Sequence, residues 1–230
     1  MNSNKRPFVS VIMPIRNEEK YIRRSLGAVL CQDYPHDRLE VILADGISSD
    51  RTREFIAELQ NKHSDVQVLI IDNPEQTVPY GFNYALNASQ GDIVVRVDGH
   101  TIVDPDYVSQ VVELLLNSGC DNVGGRMNAQ GENFFAKVVS AATSSPFGVG
   151  GARFHYSQKE ELVDTVYMGA WKREVFERIG GFDTRFKRSQ DSEFNYRLRA
   201  HGGKILLSPK IRSTYYTRTS FKKLWNQYYQ

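Results

Sequence analysis

Short apolar runs alternate with amphipathic stretches along the first half of the chain, a pattern typical of α/β layering. The runs rich in Val and Ile have the length of strands and cover residues 8–13, 40–44, 66–71 and 92–97. Amphipathic stretches predict helices over residues 18–31, 51–63, 80–88 and 106–117, and Ser49 and Asp50 form an N-cap signal before the second. Because the strands are apolar almost throughout, we expect an α/β fold in which helices cover both faces of the sheet.

Glycine clusters divide the second half of the chain into shorter elements, which indicates a mixed α+β arrangement. The clusters lie at residues 124–125, 148–151, 180–181 and 202–203. The stretch SSPFGVGGARFHYSQ is the most loop-like, and we expect an active-site flap there because glycines permit the backbone changes of a lid. No internal repeat or low-complexity linker interrupts the sequence. We therefore expect one domain over 1–230, with a nucleotide-binding half at 1–105 and an acceptor-binding half at 106–230.

Length and composition are those of an ordinary globular protein. The 230 residues are 40% apolar and 24% charged, and a chain of this size needs no disulfide or structural metal to hold its core. Cys31 and Cys120 form no C-x-x-C pair, which excludes zinc ribbons and indicates thiols in a reducing compartment. We find no secretory signal and no run near the ~20 apolar residues of a membrane-spanning helix. The sequence therefore predicts a cytoplasmic chain that does not itself cross a membrane.

Charge is unevenly distributed, although the formal net charge is only +2. No acidic residue follows Glu193, whereas basic and aromatic residues are interleaved through the rest of the chain. The basic residues are Arg197, Arg199, Lys204, Lys210, Arg212, Arg218, Lys222 and Lys223, and the aromatic ones are Tyr215, Tyr216, Phe221, Trp225, Tyr228 and Tyr229. Such a segment is suited to anionic headgroups, a diphosphate or nucleic acid, and a solvated basic face with core aromatics explains it equally well.

Two phosphate-binding motifs are absent. The turn after the first strand reads PIRNE, without the G-x-G-x-x-G of dinucleotide-binding folds, and the chain contains no G-x-x-x-x-G-K-[ST]. Acids instead follow two strands, at Asp45 and Asp98, where α/β sheets bind their ligands. In extended backbone, Asp98 and His100 point the same way, which predicts a shared ion or ribose, with Mn²⁺ suited to both side chains and Mg²⁺ to Asp98. An ordinary Asp-Gly turn is the alternative.

Another candidate carboxylate lies near a predicted helix start in FKRSQDSEFNYRLRAHGG. Ser189 or Asp191 begins this helix, Glu193 precedes Arg197 by four residues, and glycines end it. Asp191 either complements the helix dipole or acts as a fixed base that removes a hydroxyl proton. Both interpretations are open at this point.

Together these segments resemble family 2 glycosyltransferases of the GT-A fold, whose sheet is a mixed, open, Rossmann-like one, and the resemblance covers nearly the whole chain. VSVIMPIRNEEKYIRRSLGAVLCQDYPHDRLEVILADGISSDRT resembles the nucleotide-binding opening, and PYGFNYALNASQGDIVVRVDGH resembles the segment that carries the D-x-D-type motif. VYMGAWKREVFERIGGFDTRFKRSQDSEFNYRLRAHG resembles the acceptor half, and the triplet DGH with the loop TSSPFGVGGARF is most similar to succinoglycan-type glucosyltransferases.

This resemblance implies roles for individual residues. The nucleotide is bound by Pro14, Arg16, Glu18, Asp45, Gly46, Asn83 and Asp98, with Gly81 in the same helix as Asn83. A divalent metal, Mn²⁺ or Mg²⁺, is held by Asp98 and His100, although most of the family has Asp where this chain has His100. Asp191 is the catalytic base, and Arg153, His155 and Gln190 serve the acceptor side.

The implied function is inverting transfer of a sugar, UDP-linked by resemblance, to a glycan or lipid-linked acceptor in extracellular polysaccharide biosynthesis. It implies a site in which Asp45, Asp98 and Asp191 converge, and a protein at the inner face of the membrane with peripheral contact through the C-terminus. We expect a longer natural chain, because no Q-x-x-R-W follows and the sequence stops within a predicted helix. The alternatives are a non-catalytic nucleotide-sugar-binding protein or partner subunit and a sugar-phosphate nucleotidyltransferase; we expect no nucleic-acid binding.

Overall fold

A computed structural model describes residues 6–217, 220, 221 and 225. The strands are β1 (Val9–Ile15), β2 (Leu39–Asp45), β3 (Gln67–Asp72), β4 (Ile93–Arg96), β5 (Thr101–Val103), β6 (Asn122–Gln130), β7 (Glu161–Leu162), β8 (Tyr167–Lys172) and β9 (Ile205–Tyr216). The helices are α1 (Ile22–Leu30), α2 (Thr52–Lys62), α3 (Val78–Ala88), α4 (Tyr107–Asn117), α5 (Phe134–Thr143), α6 (Pro146–Val149), α7 (Arg173–Ile179) and α8 (Gln190–Ala200). Single 3₁₀ turns occur at His36–Arg38 and Arg153–His155.

All the strands belong to one mixed sheet with the order β3-β2-β1-β4-β8-β6-β9-β5, and β7 pairs with β9. Strands β3, β2, β1 and β4 are mutually parallel, and β8 runs antiparallel to both β4 and β6. The chain moves outward from β1 to β3 and then returns to the other side of β1 as β4. This reversal makes the carboxyl ends of β1 and β4 a topological switch point, where open α/β sheets bind their ligands.

Hydrophobic clusters cover both faces of the sheet, as the apolar strands predict. Alternate residues of β1 point to opposite faces, so that Val11 and Met13 join one cluster and Ile12 joins the other. The first cluster lies under α1 and α4, and the second contains five aromatic side chains, which are Phe82, Trp171, Phe176, Phe182 and Phe194. The prediction was wrong for β3, where alternate residues are exposed because β3 lies at the edge of the sheet.

The predicted elements of the first half agree with the structure to within a few residues. The largest difference is at the first helix, which begins at Ile22 rather than at residue 18. Asn17 has a positive φ of 54°, and the backbone NH groups of Tyr21 and Ile22 donate to the carbonyl of Glu18, so residues 17–21 form a turn before the helix. The predicted N-cap signal lies just before the N-cap position of α2, which is Arg51 and has no side-chain cap bond; Asp50 Oδ1 nevertheless accepts from the backbone NH of Thr52 at 3.0 Å.

The second half contains helices where the sequence indicated loops. Helix α5 was not predicted, and α6 occupies part of the expected flap at residues 148–151. In that stretch only Gly150 has a left-handed φ, of 59°, so glycine freedom is needed at one position rather than along the whole loop. Helix α8 begins at Gln190, and Glu193 forms the expected ion pair with Arg197 at 2.7 Å.

Candidate active site

A cavity of about 180 Å³ opens at the topological switch point. It is lined by Pro14, Ile15, Arg16, Glu18, Asn73, Gln76, Thr77, Val78, Arg96, Asp98 and His100. These side chains come from the ends of β1, β3 and β4 and from the start of α3. The sequence-derived candidates Pro14, Arg16, Glu18, Asp98 and His100 are therefore brought together by the fold.

The turn after β1 is held in place by the segment that leads into α2. The backbone NH of Asn17 donates to Ser48 Oγ at 2.8 Å, and Asn17 Oδ1 accepts from the backbone NH of Ser49 at 2.8 Å. The backbone NH of Glu18 donates to Thr52 Oγ1 at 2.7 Å. These contacts fix Glu18 in the cavity lining, because its backbone is anchored on a neighbouring element.

Asp45 lies at the end of β2 but not in the cavity lining. Its side chain is fully buried, and its carboxylate accepts hydrogen bonds from Ser48 Oγ and Arg53 Nε, both at 2.5 Å. Gly46, next to Asp45, packs against Arg16, and an added Cβ there would lie 3.2 Å from that side chain. Of the three acids expected to converge, only Asp98 and Asp191 are brought together, through Arg96, and Asp98 is the one that lines the cavity.

Asp98 and His100 share the cavity, although the strand geometry predicted for them was wrong. Strand β4 ends at Arg96, and residues 98–101 form a turn in which the backbone NH of Thr101 donates to the carbonyl of Asp98 at 3.0 Å. His100 Nδ1 lies 2.9 Å from Glu18 Oε1, and the His100 ring meets the edge of Tyr215. The two interpretations of the sequence are therefore compatible. Asp98 and Gly99 belong to a turn, and the side chains of Asp98 and His100 both line the cavity.

Arg96 connects the two acids, and the sequence analysis did not single it out. Its Nε donates to Asp98 Oδ1 at 2.9 Å, and its Nη1 donates to Asp191 Oδ1. Only 4% of Arg96 is exposed. Burial opposes its charge, yet the carboxylates of Asp191 and Asp98 raise its pKa above the usual arginine value. A charged residue in the otherwise apolar strand IVVR was the signal available in the sequence.

Asp191 lies in the first turn of α8, directly after Ser189, which has a left-handed φ of 56°, and Gln190, which is buried. The Asp191 side chain is 34% exposed, so a molecule in solution can reach it. Burial raises the pKa of the Asp191 carboxyl, the neighbouring Arg96 opposes this effect, and the charge of Asp98 adds to it. Asp191 is thus a partly accessible carboxylate that binds a proton more readily than an ordinary aspartate does.

Five further candidate residues lie outside the cavity lining, namely Asn83, Arg153, His155, Gln190 and Asp191. Asn83 binds the backbone of Phe182 through both ends of its amide, donating to the carbonyl at 2.8 Å and accepting from the NH at 2.9 Å. Arg153 forms an ion pair with Glu161. Burial lowers the pKa of His155, whose ring packs on Phe154, so its imidazole is neutral at neutral pH.

The loop between β3 and α3 contributes lining residues that the sequence analysis missed. Within the described part of the chain, Asn73 Oδ1 and Thr77 Oγ1 are buried without a hydrogen-bond partner. Buried polar atoms normally have partners, so two unsatisfied oxygens beside one cavity indicate a place for a polar ligand or water. Gln76, between them, has a positive φ of 57°.

Backbone strain is concentrated around this site. The non-glycine residues with positive φ in the described chain are Asn17, Ile47, Gln76, Met168 and Ser189. Asn17 lies between two lining residues, Gln76 lines the cavity itself, and the thioether of Met168 accepts from the backbone NH of Asp98 at 3.3 Å. Such conformations cost about 1–3 kcal/mol each and persist only where the surrounding structure enforces them, which is common at functional sites.

The lining contains three side chains of types that bind divalent cations, the carboxylates of Glu18 and Asp98 and the imidazole of His100, and Glu18 Oε1 lies 2.9 Å from His100 Nδ1. Across the residues that the structure describes, no three His, Cys, Asp or Glu side chains are grouped so that they could hold a metal ion. The donor set therefore fits a cation that takes its remaining ligands from a bound diphosphate and water, as Mg²⁺ and Mn²⁺ do. It does not fit a cation enclosed by protein alone.

Comparison with known proteins agrees with this geometry. The chain is 34% identical over 226 residues to the Methanococcus voltae dolichyl N-acetyl-alpha-D-glucosaminyl phosphate 3-beta-D-2,3-diacetamido-2,3-dideoxy-beta-D-glucuronosyltransferase, covering 96% of this chain and 70% of that relative. It is 29% identical over 221 residues to the succinoglycan biosynthesis protein ExoA of Rhizobium meliloti, covering 95% and 66% of the two chains. The latter match confirms the resemblance to succinoglycan-type enzymes.

Solved structures share the fold. The mannosyltransferase PcManGT from Pyrobaculum calidifontis, in complex with GDP-Man and Mn²⁺, matches with a TM-score of 0.70 and 24% identity over 92% of this chain and 57% of that one. S. aureus TarS 1-349 in complex with UDP matches with a TM-score of 0.67 and 20% identity over 91% and 60% of the two chains. The predicted GT-A fold is confirmed, and the chain spans less than two thirds of these structures.

Within the described residues, no helix is long and apolar enough to span a bilayer.

The family model for glycosyl transferase family 2 matches residues 10–180, which include the turn after β1, the whole of strand β4 with Arg96, and the D-G-H triplet. The chain therefore belongs to glycosyl transferase family 2.

Proposed function

We propose that this chain transfers a sugar, with inversion, from a nucleoside diphosphate to a hydroxyl group of a glycan or lipid-linked acceptor. The observation that carries the proposal is the pair of contacts made by Arg96. This single buried guanidinium joins Asp98, on the cavity wall, to Asp191, a partly exposed acid just outside the cavity lining. The cavity and the candidate base are thereby held in a fixed relation to each other, which is what a direct displacement requires.

In the proposed step, Asp191 accepts the proton of the acceptor hydroxyl as its oxygen forms a bond to the anomeric carbon. The bond between that carbon and the diphosphate oxygen breaks on the opposite face, and the nucleoside diphosphate leaves with the bonding electrons. One displacement inverts the configuration. The partial exposure of Asp191 and its readiness to bind a proton support its role as the base.

The nucleotide is proposed to occupy the cavity between the turn after β1 and the start of α3. The unsatisfied oxygens of Asn73 and Thr77 support a polar ligand there, and Arg16 offers positive charge to a diphosphate. Asp98 and His100 would hold a divalent cation, Mn²⁺ or Mg²⁺, which when bound supplies positive charge against the leaving diphosphate. We propose uridine as the nucleoside, so that the carrier is UDP; related structures contain either UDP or GDP-Man, so the carrier needs a direct test.

The acceptor is proposed to be a growing glycan or a lipid-linked sugar in extracellular polysaccharide biosynthesis, handled at the inner face of the membrane. The names of the two relatives, a dolichyl phosphate sugar transferase and a succinoglycan biosynthesis protein, support this class. Peripheral membrane contact through the basic aromatic C-terminus is part of this proposal, and Arg218, Lys222, Lys223, Tyr228 and Tyr229 of that segment lie outside the described residues.

The decisive experiment compares Asp191→Asn with Glu193→Gln, an acid on the same helix that pairs with Arg197 instead of the cleft. We expect Asp191→Asn to keep its affinity for UDP, measured by calorimetry, and to lose about 10²–10⁴ in transfer rate, measured as UDP release from UDP-sugars. Glu193→Gln should keep most of its rate at a temperature where it is folded. Near wild-type transfer by Asp191→Asn would refute the assignment, and nucleotide binding without any transfer or donor hydrolysis by the wild type would favour a non-catalytic binding protein.

A further inference from the structure

Helices α5 and α6 carry an exposed apolar surface that the proposed reaction does not use. We define the α5–α6 surface by Phe134, Val138 and Phe147. Phe134 is 85% exposed, Val138 is 53% exposed, and Phe147 is as exposed as in an extended chain. Phe134 and Val138 are four residues apart and so lie on one face of α5, since residues i and i+4 share a face. Exposed apolar side chains that are grouped rather than scattered mark candidate interaction sites.

The opposite face of α5 is attached to the sheet. Ala136 is fully buried, and Ser140 Oγ donates to the carbonyl of Ala129 in β6 at 2.6 Å. The helix is capped by Asn133, whose Oδ1 accepts from the backbone NH of Ala136 at 2.8 Å. The α5–α6 surface is therefore presented by a helix with a fixed orientation.

Charge indicates what the surface contacts. Residues 134–149 contain no acidic residue and one basic residue, Lys137, which lies beside Val138 and is exposed. Glu132, the acid nearest to α5 along the chain, is neutralised by Lys20 at 2.6 Å. A surface that combines aromatic side chains with positive charge and lacks carboxylates complements an anionic lipid headgroup layer above an acyl core.

The basic aromatic segment at the end of the chain starts beside this surface. Thr217 Oγ1 donates to the carbonyl of Ala136 at 2.8 Å, and the backbone NH of Thr217 donates to the carbonyl of Gln130 at 2.9 Å. Beyond it, Phe221 and Trp225 are exposed, with ring centroids 6.0 Å apart, and Lys222 and Lys223 lie between them in the sequence. The basic aromatic segment thus contacts α5 near the N-terminal end of the helix, at Ala136.

The surface is also connected to the cleft. Helix α6 contacts the 3₁₀ turn Arg153–His155, and Phe154 in that turn stacks on Tyr167 with centroids 6.3 Å apart. Tyr167 in turn binds Thr101 Oγ1 at 2.6 Å, beside the Asp98 turn. A lipid surface against α6 would therefore lie next to the acceptor side of the proposed site.

From these observations we infer that the α5–α6 surface docks on a bilayer that contains anionic lipids, with Phe134 and Phe147 inserted at the level of the headgroups. The inference goes beyond the proposed reaction and does not depend on its chemistry. The proposed contact is made by residues 134–149 and is separate from the membrane contact expected of the C-terminus. Experiment can separate the two, because neutral substitutions on α5 and α6 leave the charge of the C-terminal segment unchanged.

Vesicle flotation of the whole chain tests the inference, with phosphatidylcholine vesicles compared with vesicles that also contain phosphatidylglycerol. We expect binding to the mixed vesicles that weakens in high salt. Each of Phe134→Gln and Phe147→Gln should weaken binding about tenfold, since inserting one such side chain is worth at least a factor of ten. The matched control is Leu116→Gln, which removes an exposed apolar side chain on α4 and should bind like the wild type.

Each other outcome would overturn the inference. If Phe134→Gln and Phe147→Gln bind like the wild type, the basic C-terminus accounts for all membrane binding. If the wild type binds no vesicles but forms a dimer that both variants abolish, the surface joins two copies of the chain. If the wild type is monomeric and binds no vesicles, the surface has no lipid partner. Circular dichroism melting must be unchanged in both variants, as expected for exposed positions. Transfer activity is measured separately, so its loss does not affect this test.

Discussion

Arg96 donates from β4 to Asp191 at the start of α8, across 95 residues of sequence, and the same guanidinium binds Asp98. The arrangement shares one buried positive charge between two carboxylates. Burial raises the pKa of the Asp191 carboxyl and the charge of Asp98 adds to this effect, so Asp191 keeps a raised pKa although Arg96 opposes it as an ion-pair partner. Arg96 therefore holds the proposed base in place, and the carboxylate of Asp191 still accepts a proton more readily than that of an ordinary aspartate.

The sign of this pKa shift predicts a stability change. A carboxyl whose pKa is higher in the folded than in the unfolded protein makes the folded state less stable as pH rises through that interval. Asp191→Asn removes the titration, so we expect its thermal midpoint at neutral pH to equal or exceed that of the wild type. The difference should vanish below pH ~4, where both wild-type states are protonated. A variant that melts clearly lower than the wild type at neutral pH would show that the ionised form is favoured in the fold.

The same shift predicts a pH dependence of transfer. Because the base must be ionised, kcat/KM should fall on the acid side with an apparent pKa above the ordinary aspartate value of ~3.9. Steady-state kinetics from acid to neutral pH measures this limb, with donor concentrations well below KM. A limb at or below the ordinary value would contradict the assignment of the raised pKa to the group that accepts the proton.

Removing the guanidinium should be costly. We expect Arg96→Met to lose about 3 kcal/mol of unfolding free energy in urea, because it leaves two carboxylates without their buried partner. The unfolding free energy of Arg96→Lys should lie between those of the wild type and Arg96→Met. Lysine keeps the positive charge, but its single ammonium cannot bind both acids as the forked guanidinium does. The control is Arg178→Met, whose partner Asp121 is bound by a more exposed guanidinium, and it should cost less than about 1 kcal/mol. Equal losses in the two Met variants would refute the central role of Arg96.

His100 should set the choice of cation. We expect UDP to stabilise the chain more with Mn²⁺ than with Mg²⁺, and His100→Asp to reverse that order, because carboxylates suit Mg²⁺ better than imidazole does. A thermal shift panel of UDP, GDP and TDP with each cation measures this and the carrier together. A ligand at 100 times its Kd adds about 2.7 kcal/mol of stability. His63→Asp, at the end of α2 and outside the cavity lining, should leave the order unchanged.

Asn83 offers a test between a structural and a nucleotide-binding role. Its amide satisfies the backbone NH and carbonyl of Phe182, so we expect Asn83→Ala to lose about 1–3 kcal/mol in urea unfolding. The UDP affinity of the folded variant should be unchanged, as calorimetry would measure. A large loss of affinity with little loss of stability would instead support the nucleotide-binding role implied by the family resemblance.

Local sequence patterns predict much of the fold because the first half is built from local units. Val and Ile runs that are buried on both faces need no knowledge of their neighbours to be recognised, and β1, β2 and β4 lie where these runs predict them. The pattern fails at β3, because edge position is a property of the whole sheet. It fails again at α5, a helix that lies in the glycine-divided second half, where the sequence indicated loops.

The sequence by itself determined which acids stand at the strand and helix ends, namely Asp45, Asp98 and Asp191, since strand termini and helix starts are local features. Only the tertiary structure decided which of them share a cleft. Because β4 lies between β1 and β8, Arg96 is within reach of α8. Asp45 instead binds Ser48 and Arg53 and lies outside the cavity lining. Contacts between residues far apart in the chain depend on strand order and helix packing, and no local pattern encodes these.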